Sequence, residues 1–141
     1  VMQKQVKLVH SRLKQLDASG TPWVLGGDLN LLPPDGQKQW EKITESNTGG
    51  YDQHTAIKPL YDNFQAVPSL LNLADTKASH WYTHYPNNPT VTGPDRTIDY
   101  LFYSHQWHAT QTAVRQHDTL DVSDHLPVSA TLVLSETPQK N

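Results

Sequence analysis

Three short stretches hold the side chains of this chain that could do chemistry: Gly27-Asp28-Leu29-Asn30, Ile98-Asp99-Tyr100 and Ser123-Asp124-His125-Leu126-Pro127-Val128. A carboxylate can accept a proton, an amide offers two donors, and an imidazole changes charge near neutral pH. Each stretch alone has a structural reading, because short motifs match by chance. The first could be a turn after a strand, Asp99 a buried acid paired to Arg96, and Asp124-His125 a cap. Together, each in or at the end of a strand, they favour a catalytic set. Pure binding has no need of an acid, an amide and a paired imidazole at once.

The elements that must position these groups follow from periodicity. Trp23-Val24-Leu25 is apolar and ends in two glycines, so a buried strand delivers Asp28 and Asn30 at its C-terminal end. Extended residues alternate faces, which puts Asp28 and Asn30 on one side and turns Leu29 into the core. Before it, Val6, Val9, Leu13 and Leu16 recur at spacings of three and four and predict an amphipathic helix that ends near Asp17 at Ser19-Gly20-Thr21-Pro22. After it, Leu31 to Gly36 reads as a loop, and 37–45 as a short helix around Trp40 and Ile43. Between Tyr51 and Asp75 the apolar spacing predicts one or two short helices, interrupted by Pro59 and Pro68.

A short strand near Trp81 and a long loop over Tyr82 to Pro94 lead into the clearest strand, Thr97 to Ser104. There Ile98, Tyr100 and Phe102 share one face, and Asp99, Leu101 and Tyr103 the other, so Asp99 calls for a partner. The last strand opens at Ser123-Asp124-His125 and continues with Val128, Ala130, Leu132 and Leu134 on one face. His105 and His108, three apart, could be a metal pair on a helix but, directly after a strand, read rather as turn residues; of His80 and His84 one could approach substrate, but both read first as solvated residues of a Pro/Asn loop. His10, His54 and His117 show no partner pattern. Trp40, Trp81 and Trp107 read as packing residues.

Composition narrows the classes. The chain has 141 residues, no cysteine and a formal charge of -3, which leaves out thiolate-metal and disulfide chemistry and gives no general attraction to a phosphate backbone. An anionic substrate then needs a cation to offset the acids. Ten prolines and a mean hydropathy of -0.65 predict long irregular segments around one core. No apolar run approaches the ~20 residues of a membrane span.

In this order and spacing the three stretches, with Tyr85-Pro86-Asn87-Asn88 and Arg96 ahead of the second, resemble the endonuclease/exonuclease/phosphatase superfamily, the group with the deoxyribonuclease I-like fold. The resemblance runs from the first helix to Leu134. It implies an α/β (α+β) fold, half of a four-layer α/β/β/α sandwich, and metal-dependent hydrolysis of a phosphoester of phosphodiesterase or nuclease type. By the same resemblance Asp28 orients and deprotonates the water, Asn30 holds a phosphate oxygen or the water, and His125 sits on the phosphate as an imidazolium. Asp99 then fixes the tautomer of His125, and Asp124 binds a divalent metal, Mg²⁺ or alternatively Mn²⁺.

The family's N-terminal half supplies an Asn and a metal-binding Glu, and no matching stretch precedes Gly27. Glu41 and Glu45 follow the first motif, in the wrong order. The expectation is therefore that residues 1–134 are the C-terminal part of one such domain, with 135–141 a polar tail. The missing N-terminal half of the domain would then be its partner, and the isolated chain would be inactive or nearly so. The competing class is a non-catalytic binding or assembly module that keeps the half-fold. Nucleic acid, phosphoinositide, sphingomyelin and nucleotide-like phosphoesters all remain open as substrates, because specificity loops differ while the catalytic set does not.

Overall fold

Tyr100 and Phe102 are almost wholly withdrawn from solvent, and the strand that carries them is the centre of the structure. The computed structural model describes residues 2–34, 39, 43 and 56–135. The chain runs through helix α1 (Met2–Ala18), strand β1 (Val24–Asp28), helix α2 (Lys58–Asn63), strand β2 (Gln65–Val67) and helix α3 (Leu70–Ala74). A 3₁₀ turn (Ala78–Trp81) and strands β3 (Asp99–Tyr103), β4 (Trp107–Val114) and β5 (Val128–Leu134) complete it.

Strand β3 is paired on both sides, antiparallel to β1 and to β2. Its aromatic face, with Leu25 and Ala66 of the neighbouring strands, meets Val6 and Leu13 of α1 and Leu60 of α2. The expected periodicity of α1 is therefore the one the fold uses. The helix stops where the sequence breaks: Gly20 takes a left-handed φ of 71°, and Gly20 and Thr21 donate back to Asp17 and Leu16 at 3.0 Å.

The opposite face of the sheet carries Val24, Gly26 and Asp28 of β1 beside Tyr103, Leu101 and Asp99 of β3. Here the expectation of a buried first strand needs correction. Val24 is 47% exposed, because among the described residues α1 and α2 cover only the other face. The strand also runs on past Leu25, so that Asp28 is its last residue.

Further differences have local causes. Pro59 begins α2 instead of interrupting a helix, since the first turn has no use for the missing N–H. Gln65 to Val67, read as helical, is drawn into the sheet by pairing with β3. Ser69 then starts α3 with reciprocal bonds to Asn72. The residues near Trp81 form a 3₁₀ turn and not a strand.

Strand β4 was not expected at all, and it places His108 on a strand while His105 stays in the preceding turn. It pairs antiparallel with β5, with an irregularity between Thr110 and Ala113. No residue of this two-stranded sheet is buried, and the supposed common face breaks down at Leu134, which is 50% exposed. The anticipated helix over 37–45 falls largely outside the described residues. Mixed helices and two antiparallel sheets agree with the expected class, a partial α/β sandwich.

Candidate active site

The antiparallel register sets Asp28, the last residue of β1, opposite Asp99, the first of β3. Two acids separated by 71 positions in the chain thus stand on one face at one edge of the sheet. Gly27 makes the approach with φ of 152°, a conformation that a Cβ would strain although space around it is open. Asp28 then closes a small turn, its Oδ1 accepting from the backbone N–H of Asn30 at 2.7 Å. Asn30 has φ of 51°, so the simple strand alternation expected over Asp28 to Asn30 gives way to a turn after Asp28. Leu29 packs against the core as expected.

His125 arrives from the segment before β5, which is a loop and not the start of the strand. Its Nδ1 lies 3.0 and 3.1 Å from the two oxygens of Asp99. The carboxylate can only accept, so Nδ1–H donates and Nε2 takes no part in this pair. The alternative pairing of Asp99 with Arg96 is not adopted. Buried Arg96 holds Asp95 instead, at 2.7 Å from Nε and 2.9 Å from Nη2. Ligand-type atoms of Asp28, Asp99 and His125 all lie within 4.8 Å of one another.

A further histidine enters this group. Thr83 to Tyr85 runs extended between two other segments: Thr83 and His84 donate to the Arg96 carbonyl, while Leu126 donates to Thr83 and Tyr85 to Asp124. This lattice puts the His84 ring edge-on to His125, with centroids 4.9 Å apart. Its Nε2 lies 3.8 Å from Asp124 Oδ2, and its side chain is only 13% exposed. The reading of His84 as a solvated loop residue is thereby overturned. Burial, then the positive charge of Arg96 and the neighbouring His125, lower its pKa below the ordinary histidine value. No local signal marked it, because its neighbours lie 12 and 41 positions away in the chain.

The same lattice shapes Asp99. Buried Thr83 accepts from the backbone N–H groups of Ile98 and Asp99 at 2.9 and 3.0 Å, tying the site's loop to the entry of β3. Tyr100 anchors the other side, its hydroxyl placed between the carbonyls of Leu31 (2.7 Å) and Thr97 (2.9 Å). Two clefts open onto the cluster. One of about 300 Å³ runs along Gly26, Gly27, Asp99 and His125, and one of about 850 Å³ between Tyr85 to Thr92 and Leu120 to Asp124.

The model for the Endonuclease/Exonuclease/phosphatase family matches residues 2–125. The chain belongs to this family. No curated protein and no solved structure gives a significant match. Membership brings metal-dependent phosphoester hydrolysis as the general activity, and a phosphoester or nucleic acid as the substrate class. The family match takes in Asp28, Asn30, Asp99, Asp124 and His125, and the fold gathers Asp28, Asp99 and His125 into one group and sets Asp124 with His125 and His84 in a second. Asn30, two positions after Asp28, is tied to it through its backbone N–H.

The residues fit a divalent ion. Asp124 has half of its carboxylate exposed at the mouth of the larger cleft, beside two imidazoles. A Mg²⁺ ion keeps several waters and needs only one or two carboxylates besides substrate phosphate, so an open carboxylate of this kind can hold it.

Proposed function

We propose that this chain hydrolyses a phosphoester at the cluster of Asp28, Asn30, Asp99, Asp124 and His125. The observation that carries the reading is the His125–Asp99 pair, standing within 4.8 Å of a second carboxylate from the neighbouring strand. A fixed imidazole and a separate proton acceptor are what in-line attack on phosphorus requires. As the water oxygen bonds to phosphorus and the ester P–O bond breaks, the water proton passes to Asp28.

Asn30 offers its amide hydrogens to the water or to a phosphate oxygen. His125, protonated and steered by Asp99, gives Nε2–H to a non-bridging oxygen as negative charge builds there. A Mg²⁺ or Mn²⁺ ion held by Asp124 would supply further positive charge against the phosphate. With Asp124 as the one carboxylate assigned to the ion, binding is weak and turnover by these 141 residues is slow unless a further acid completes the site.

The test is Mg²⁺-dependent hydrolysis of bis-p-nitrophenyl phosphate and of nicked or abasic DNA, with His125→Ala and Asp28→Ala as controls. A rate in the native chain that falls about 100-fold or more in both variants supports the proposal. Equal rates in all three proteins refute it and leave a binding module.

A further inference from the structure

His84 is the residue of the site that the family motifs leave unexplained. Its ring is held on both sides by backbone pairing with Arg96 and His125, so it is a built feature and not a loose side chain. Its Nδ1 is buried without a hydrogen-bond partner among the described residues, which leaves Nε2, the atom beside Asp124, as its polar working edge.

We propose that His84 Nε2, the Asp124 carboxylate and His125 Nε2 form a binding site for a borderline first-row cation of the Zn²⁺ type, selective against Mg²⁺. One ligand atom from each residue lies within 4.8 Å of the other two. A tetrahedral ion with bonds of about 2.0–2.2 Å to nitrogen and oxygen holds its ligands about 3.3 Å apart. The 3.8 Å between His84 Nε2 and Asp124 Oδ2 is close to that edge. Exposed Asp124 is free to close the remainder.

Ligand chemistry decides which ion is taken. Two imidazoles and one carboxylate suit Zn²⁺ and its neighbours, whereas Mg²⁺ asks for oxygen alone. Three protein ligands also leave a fourth position open at the larger cleft. The second shell is in place for His125, whose Nδ1–H is accepted by Asp99 so that Nε2 is presented as a lone-pair donor.

The two uses of His125 exclude one another. A ring whose Nε2 binds a cation has no proton there to give a phosphate. Zn²⁺ occupancy therefore holds the site in a form without its imidazolium. That consequence rests on the proposed function, whereas the binding itself does not.

Titration of the metal-free chain with Zn²⁺ and separately with Mg²⁺ tests the site, using a competing chromogenic chelator at one buffered pH, because protons compete with the metal for its ligands. Zn²⁺ should bind far more tightly than Mg²⁺. His84→Ala and Asp124→Asn should each weaken Zn²⁺ about 10-fold or more, and His84→Ala should leave Mg²⁺ binding unchanged. Asp124 is exposed, so its variant keeps the test open if loss of His84 disturbs folding. X-ray absorption of the zinc-loaded native chain should show two imidazole nitrogens with oxygen. Unchanged Zn²⁺ affinity in both variants would place the ion on other histidines and overturn the proposal, whether or not the chain hydrolyses phosphoesters.

Discussion

Nδ1 of His125 stands at nearly equal distance, 3.0 and 3.1 Å, from the two carboxylate oxygens of Asp99. The pair joins the first residue of β3 to a loop 26 positions later, and it is half sheltered from water, with side-chain exposures of 37% and 16%. Such a carboxylate fixes which ring nitrogen carries the proton. On the proposed function Asp99 is a positioning residue for His125.

Asp99→Asn keeps the shape but removes the carboxylate that accepts from Nδ1–H of His125. Turnover should fall about 100-fold or more, as for loss of acid–base function. The loss should be in kcat more than in KM. A kcat within a factor of about two of the native value would remove Asp99 from this role.

Thr83 supports the same acid from below. It is fully buried, and its hydroxyl oxygen receives both the Ile98 and the Asp99 backbone N–H. Thr83→Val keeps the volume and leaves two buried donors unpaired, at about 1–3 kcal/mol each. Urea denaturation should show the loss, and Thr83→Ser, which keeps the hydroxyl, should recover most of it. Equal stability of the valine and serine variants would contradict the accounting.

His84 makes stability depend on pH. Its folded pKa is depressed, first by burial and then by Arg96 and His125, while Asp124 and Asp95 pull the other way. Above the unfolded value of 6.5 the ring is neutral in both states and nothing is lost. As pH falls through 6.5 the unfolded chain takes up the proton first, so stability declines until the folded ring also titrates. Thermal melts followed downward from neutral pH should show this decline, and His84→Gln should flatten it. An identical slope in the variant would mean that other groups carry the acid limb.

The helix α1 and the buried face of β3 were legible because each reports its own burial through local spacing. Val6, Leu13, Tyr100 and Phe102 are all in the core. The Gly-Asp-x-Asn, Ile-Asp-Tyr and Ser-Asp-His stretches named the five residues of the proposed site for a similar reason, since each motif is contiguous in the chain. Strand β2 was misread because its three residues sit beside helix-forming neighbours, and only pairing with β3 makes them extended. Strand β4 escaped because none of its residues is buried, so Trp107 to Val114 carries no strong alternation of apolar and polar side chains.

By itself, then, the sequence determined the chemical types at the site, the helix and central strand that carry the core, and the family. The tertiary structure decided which groups meet. Asp28 opposes Asp99 through the register of β1 on β3, Asp95 takes Arg96 and so leaves Asp99 to His125, and the extended 83–85 segment inserts His84 beside Asp124. These are contacts between positions far apart in the chain. They are fixed by backbone pairing between segments, which local spacing does not encode.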